Sequence, residues 1–297
     1  MVENENAEDK ISSKSDDSAG HSPETNFLEF QIAVAEEAVH RLWTKAKKLK
    51  RKKGKTAKRV HDMRVAFRRW YSIWNVLSKE GFQTKSFKKK VGGELKKGYK
   101  LLGAVRDWDV NLNTGKDYGV PEQILAKWQH ERNTVQEETS SALERIDMEK
   151  AVKRLSKYMK KRAEKLKKKH KDEGRFSARP RDAIESYLRE TEAQTRYLAT
   201  NATSLEELHS LRLSIKTWRY ILVEFFGHEP ETLVLAQQTL GQINDLERVR
   251  LLLMKEDGPL AEKAIETVVA KQLELISKLD EIKISLPFGL RPKDSDS

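Results

Sequence analysis

Between its two ends this chain repeats its apolar residues every 3.6 positions, and no stretch shows the alternation of two that a strand needs. That pattern predicts an all-α protein. The prolines agree: Pro121, Pro180, Pro230 and Pro259 each fall where one periodic stretch stops and the next begins, the place where a helix tolerates proline. The pattern predicts helices over 24–53, 57–80, 83–110, 120–145, 147–173, 179–201, 204–226, 230–256 and 258–282. Gly81 and Gly227 read as helix stops, and the pair Gly92-Gly93 falls in mid-helix. Short connections favour antiparallel neighbours, hence bundles. With 37% hydrophobic residues in 297, the chain has enough apolar side chains for a sizeable core.

The ends read differently. Residues 1–22 hold six acids against Lys10 and Lys14 and almost no large apolar side chain. Such a segment cannot offset its ordering entropy and reads as a disordered acidic tail. Residues 287–297 read as a second short tail. The domain expected between them spans 23–286, with a first helical half at 23–146 and a second at 147–286.

Charge narrows the partners. Lys and Arg number 58 against 46 Asp and Glu, a net +12. A polyanion is the expected class of partner. The absence of cysteine excludes disulfides and thiol chemistry. No apolar run of 18 residues is present, so no membrane span is expected. The start lacks the basic-then-apolar pattern of a secretion signal. The expected location is cytoplasmic or otherwise intracellular.

A duplication is hidden in the helices. Residues 60–77 read VHDMRVAFRRWYSIWNVL and 208–225 read LHSLRLSIKTWRYILVEF. His61 aligns with His209, Arg64 with Arg212, Arg68 with Lys216 and Trp70 with Trp218. A second match follows each: LLGAVRDWDV at 101–110 and TLGQINDLERV at 239–249. The helix at 147–173 then reads as a connector between duplicated units. At about 100° per residue, His61, Arg64, Arg68 and position 71 share one arc. Met63, Ala66, Trp70, Ile73, Trp74 and Leu77 share the other. In the copy, His209, Arg212, Lys216 and Arg219 form the polar arc, and Leu211, Ile215, Trp218, Leu222 and Phe225 the apolar one. An ordinary solvated face mixes charges of both signs. These arcs carry bases and no acid, so something outside the helix should compensate for them. Lys89, Lys96 and Lys100 share a side with Gly92, Gly93 and Gly103. Glycine there allows close approach of a neighbouring helix or of a ligand.

On these residues the sequence resembles the CHAD family, the conserved-histidine α-helical domains. The first motif is His61, Arg64 and Arg68, followed by Leu102, Gly103, Arg106, Asp107 and Asp109. The second is His209, Arg212, Lys216 and Arg219, followed by Leu240, Gly241, Asn244 and Asp245. The resemblance covers about residues 24–286. It implies two four-helix bundles related by a pseudo-twofold axis, with a connecting helix and a central basic cleft or pore. It also implies binding of inorganic polyphosphate without catalysis, and so association with polyphosphate granules. Some members carry a fused triphosphate tunnel domain with a Glu-x-Glu-x-Lys strand motif. This chain has neither that motif nor strands to hold it. Three positions depart from the family: Tyr71 stands where a base is usual, Thr217 follows Lys216, and Asn244 matches Arg106. The two halves should therefore bind unequally.

The expected phosphate-contacting set is His61, Arg64, Arg68, Lys96, Lys100, Arg106, His209, Arg212, Lys216 and Arg219. Arginine leads because its planar fork fits two phosphate oxygens. No catalytic residue, metal or cofactor is expected, because the histidines lack an orienting carboxylate and metal-ligand spacing. Asp107 and Asp109, at the expected helix end, read as structural ion pairs with metal-bridged phosphate contact as the alternative. Three lysine-rich runs, 45–59, 85–100 and 153–171, read either as solvated faces or as an electrostatic rim. Two further readings stay open. One is a nucleic-acid binder using the same basic surface. It is disfavoured because Trp70, Trp74 and Trp218 fall on apolar arcs, away from any stacking surface. The other is a metal-dependent phosphohydrolase or polyphosphate-processing factor.

Overall fold

The computed structural model describes residues 23–49, 56–87, 91–172 and 179–289. The acidic tail and Lys89 lie outside them. Every regular element among the described residues is helical. The long helices are α1 (Pro23–Leu49), α2 (Thr56–Leu77), α4 (Gly93–Asp117), α5 (Glu122–Arg145), α6 (Met148–Asp172), α7 (Arg179–Asn201), α8 (Leu205–Phe226), α9 (Glu231–Leu253) and α10 (Pro259–Ile284). A single helical turn, α3 (Lys85–Phe87), lies between α2 and α4.

The predicted helix 83–110 extends further than expected. Lys85–Phe87 is helical, residues 88–90 lie outside the described residues, Val91 and Gly92 are wound as π-helix, and α4 runs on from Gly93 to Asp117. Gly92 keeps right-handed helical angles, φ −61° and ψ −34°, so the glycine pair is helical, as read. A side chain at Gly92 would meet the Phe87 ring at 3.1 Å, so the glycine leaves room for that ring. Ahead of it, α2 ends in a wide turn, Ser78–Phe82, where Gly81 takes a φ of 81°. At its far end α4 stops before Gly119, which takes a φ of 72°, and Pro121. The longer α4 puts Asp107 and Asp109 mid-helix, not at its end.

The apolar arcs read from the wheel are the core. Met63, Ile73 and Leu77 are fully buried, as are Leu211, Ile215 and Leu222 in the copy; Trp70 and Trp218 are 1% exposed each. Truncating a tryptophan buried this well costs about 3–5 kcal/mol. The copied helix α8 starts at a capping box: Ser204 accepts from the Glu207 amide and Glu207 accepts from the Ser204 amide. Those backbone bonds hold the Glu207 carboxyl down at about 2. Its left-handed stop is Gly227, φ 61°.

Packing follows the duplication. Helix α2 packs on its copy α8, and α4 on its copy α9. The half boundary at 146 is one of chain order only, because α6 packs against α1, α4 and the 78–82 turn of the first half. The start of the expected C-terminal tail is docked too. Phe288 stacks on Trp218 at 5.5 Å, Arg196 lies over its ring, and the Gly289 amide donates to Glu192. The stacked ring, the guanidinium over it and the backbone bond to Glu192 together hold it. Glu224 of α8, 4% exposed, is bridged by Arg41 of α1 and Arg69 of α2. That network ties α1 and α2 to α8.

Candidate phosphate site

The α2–α8 contact brings the two polar arcs face to face. Arg64 and Arg68 come from α2, Arg212 and Lys216 from α8, and all four are half-buried. Among the described residues none of the four has a carboxylate within ion-pair distance. Arg68 donates to the Tyr220 hydroxyl at 3.5 Å. Arg64 crosses α4, donating to the Tyr99 carbonyl at 3.2 Å with its guanidinium 4.7 Å from the Tyr99 ring centre. The buried Nε atoms of Arg64 and Arg212 have no partner.

Their electrostatics show how close they are. Burial pulls the Lys216 ammonium down to about 7, with Arg212 and Arg68 repelling it and Asp245 partly compensating. Burial likewise lowers Arg64 and Arg212; Asp107 pushes back at the first and Asp245 at the second. His61 is lowered by burial, then by Arg106 and Arg68. A site that holds back protons in this way is short of negative charge.

The two glycines of the second motif have a role here. A Cβ at Gly103 would lie 2.7 Å from Arg64 Nη1, and one at Gly241 would lie 3.9 Å from Arg212 Nε. In both halves the glycine of one motif gives room to the arginine of the other, closely in the first half and loosely in the second. By contrast Gly98 makes room for Met148, with a Cβ only 2.2 Å from its sulfur, which is helix packing.

The histidines differ. His209 is exposed and its Nδ1 donates to Asn244 Oδ1 at 2.6 Å. That leaves Nε2 as the ring atom facing outward. Asp62, next to His61 in sequence, turns away to pair with Lys45 at 2.9 Å. The Arg106-to-Asn244 exchange therefore trades a repelling cation beside one histidine for a hydrogen-bonding amide beside the other.

The remaining expected residues are spread out. Lys96 and Lys100 are exposed on α4. Arg219 is engaged: it pairs with Glu229 of the α8–α9 connection at 3.3 Å and lies over the Tyr220 ring. The polar arc itself has no acid, as read, but the loop supplies one. Tyr71 packs among Phe67 and Tyr99, and burial pushes its hydroxyl up to about 12. Asp107 takes a two-pronged contact from Arg248 of α9, at 2.8 and 3.0 Å, while Asp109 accepts from Arg132 at 3.0 Å. Both are ion pairs. Sequence reasoning missed Arg248, Glu229 and Tyr99. Only Tyr99 left a signal, four residues before Gly103 on the same helical face. No cluster of three His or acidic side chains suited to a metal occurs among the described residues, and no described helix is long and apolar enough to cross a membrane.

Comparison with known proteins decides the family. The CHAD domain model matches residues 33–253, which include both copies of both motifs. The chain belongs to the CHAD family. Two solved structures share the fold of this CHAD protein. The crystal structure of the CHAD domain from the plant Ricinus communis matches with a TM-score of 0.69 and 20% identity, over 90% of this chain and 93% of that one. PptA from Streptomyces chartreusis matches with a TM-score of 0.54 and 11% identity, over 87% of this chain and 98% of that one. No curated protein sequence matches.

Proposed function

We propose that this CHAD protein is a non-catalytic module that binds inorganic polyphosphate. The observation that carries the reading is the cluster of Arg64, Arg68, Arg212 and Lys216, drawn from both halves and left without carboxylate partners among the described residues. A linear polyanion laid along α2 and α8 satisfies the free guanidinium edges by charge-assisted hydrogen bonds. It also restores the charge that burial takes from Lys216. Like-with-like packing of α2 on α8 and α4 on α9 supports the pseudo-twofold arrangement, and the unequal histidines and glycines make the grip asymmetric. The exposed Lys96 and Lys100 extend the track, and Arg106 and His61 border it.

The reading favours phosphate polymer over nucleic acid in this cleft because Trp70, Trp74, Trp218 and Tyr220 are buried and Tyr71 and Tyr99 pack edge-on against each other, with Arg64 over the Tyr99 ring. The test is a competition titration with long polyphosphate, short polyphosphate and RNA at equal phosphate concentration and salt. Affinity is expected to rise with polyphosphate length, and RNA is expected not to displace the long chain. Equal displacement by RNA would make the cleft a general nucleic-acid site. Release of phosphate during the titration would make the protein an enzyme.

A further inference from the structure

A second basic surface lies away from the cleft, on the outer face of α6. Lys153, Lys157, Lys160, Lys161, Lys165 and Lys168 are all exposed and have no ion-pair partner among the described residues. Lys160 and Lys161 are adjacent and the others follow at three or four residues, so the six spread over one broad side of the helix with the exposed Glu164 among them. Three other bases of α6 are already used: Arg154 pairs with Glu94, Arg162 donates to the Gly81 carbonyl and Lys167 pairs with Glu29. Glu164 offsets only part of this charge; like charges at this spacing destabilise a helix, so a polyanion lying on the stripe would relieve it. It is a different surface from the central four-base cluster, which sits on α2 and α8, whereas α6 packs on α1, α4 and the 78–82 turn.

Beside the stripe is a groove of about 350 Å³ between α1 and α6. Two of the stripe lysines, Lys153 and Lys160, line it together with His40 and the half-buried ring of Trp43. The groove holds one carboxylate, Glu36. Lys47 of the same helix covers one face of the indole, 3.4 Å from its ring centre, a place that a flat group could take in exchange for a mobile lysine. His40 lies 6.1 Å from it, tilted by 56°. Aromatic rings set among unpaired lysines suit a chain that carries both phosphates and flat bases. A bare phosphate polymer or an anionic lipid surface has no use for the ring.

We infer that the α1–α6 face is a single-stranded nucleic-acid site, separate from the polyphosphate cleft. The lysine stripe tracks the backbone, and a base stacks on Trp43 after displacing Lys47 onto a phosphate. The inference goes beyond the proposed cleft function and does not depend on it.

The test uses the full chain and a fluorescent 20-nucleotide oligoadenylate, with an abasic 20-mer of equal charge as control. The triple variant K157E/K160E/K161E is expected to weaken oligoadenylate binding at least tenfold and to flatten its salt slope by about 2, since each single-strand phosphate contact contributes about 0.7. Long-polyphosphate binding is expected to stay within about threefold. The cleft variant R68E/K216E is expected to do the reverse. Trp43→Leu is expected to bring oligoadenylate down to the abasic level. Trp43→Phe, which keeps a ring in the same packing, is expected to retain the preference, which guards against a folding defect in the leucine variant. Oligoadenylate binding that is undetectable, lost with the cleft variant, unchanged in the triple variant or equal to that of the abasic strand would overturn the inference. So would tighter α6-dependent binding to phosphatidylserine vesicles than to oligoadenylate.

Discussion

Arg64 lies across α4 at Gly103, its Nη1 only 2.7 Å from where a Cβ at that position would stand. The obstruction is the far end of a flexible side chain, so Gly103→Ala is expected to displace the guanidinium and leave the fold largely intact. Polyphosphate affinity should fall several-fold, with stability changed by less than about 1 kcal/mol. Gly241→Ala, with 3.9 Å to Arg212, should change neither. Gly98→Ala is the opposite case, because it collides with the buried Met148. It should destabilise by about 1–3 kcal/mol with little effect on binding by the folded fraction. Thermal melts and titrations on the three variants separate these outcomes.

Lys216 sets the pH dependence. Its folded-state value is about 7, well below that of an unfolded lysine. Between about 7 and the ordinary lysine value the unfolded chain therefore binds more protons, so stability contributed at this site rises with pH across that window and is lower below it. A bound polyanion reverses the local field and draws the proton back. Affinity should rise as pH falls from about 8 to 6, with proton uptake visible as buffer-dependent binding heat. His61, also held below its ordinary value, adds to the acidic end. Lys216→Met should remove the uptake near neutrality, and uptake unchanged in that variant would assign it elsewhere.

Arg219 is expected to contribute little to binding, because Glu229 already occupies it at 3.3 Å. Arg219→Gln should shift polyphosphate affinity less than twofold, whereas Glu229→Gln should strengthen it by freeing the guanidinium. A large loss in Arg219→Gln would show that ligand displaces Glu229.

Asp107 separates the ion-pair reading from a metal-bridged one. Its two-pronged contact with Arg248 joins α4 to α9, and both side chains are partly solvated, so the pair contributes at most about 1 kcal/mol. Asp107→Asn removes an acid beside Arg64 and should strengthen polyphosphate binding slightly, with no dependence on added divalent ion. Loss of binding in this variant, or a requirement for divalent ion, would favour the metal-bridged contact.

How far the sequence carried depended on the range of the interaction involved. The core arcs were legible because burial follows helical period: the wheel placed Met63, Trp70, Ile73 and Leu77 inward, and all are buried. The approach of Arg64 and Arg68 to Arg212 and Lys216 was legible only through the duplication. The wider winding at Val91 and Gly92 was missed because the apolar period continues through it. Phe288 was read as tail because eleven polar-rich residues conceal one ring that stacks on Trp218. Glu229 and Arg248 were missed because a partner brought in by a connection or by a facing helix leaves no periodic trace. Asn244 was visible as a departure from Arg106, but its bond to His209 needed coordinates.

The central claim is that bases from both halves hold one polyphosphate chain between α2 and α8. The most direct measurement is the dissociation constant of long polyphosphate for the wild-type protein and for the charge reversals R64E/R68E and R212E/K216E, with helicity checked by circular dichroism. The account predicts that either reversal abolishes binding while the helical signal is retained. Wild-type affinity in either folded double variant would contradict it.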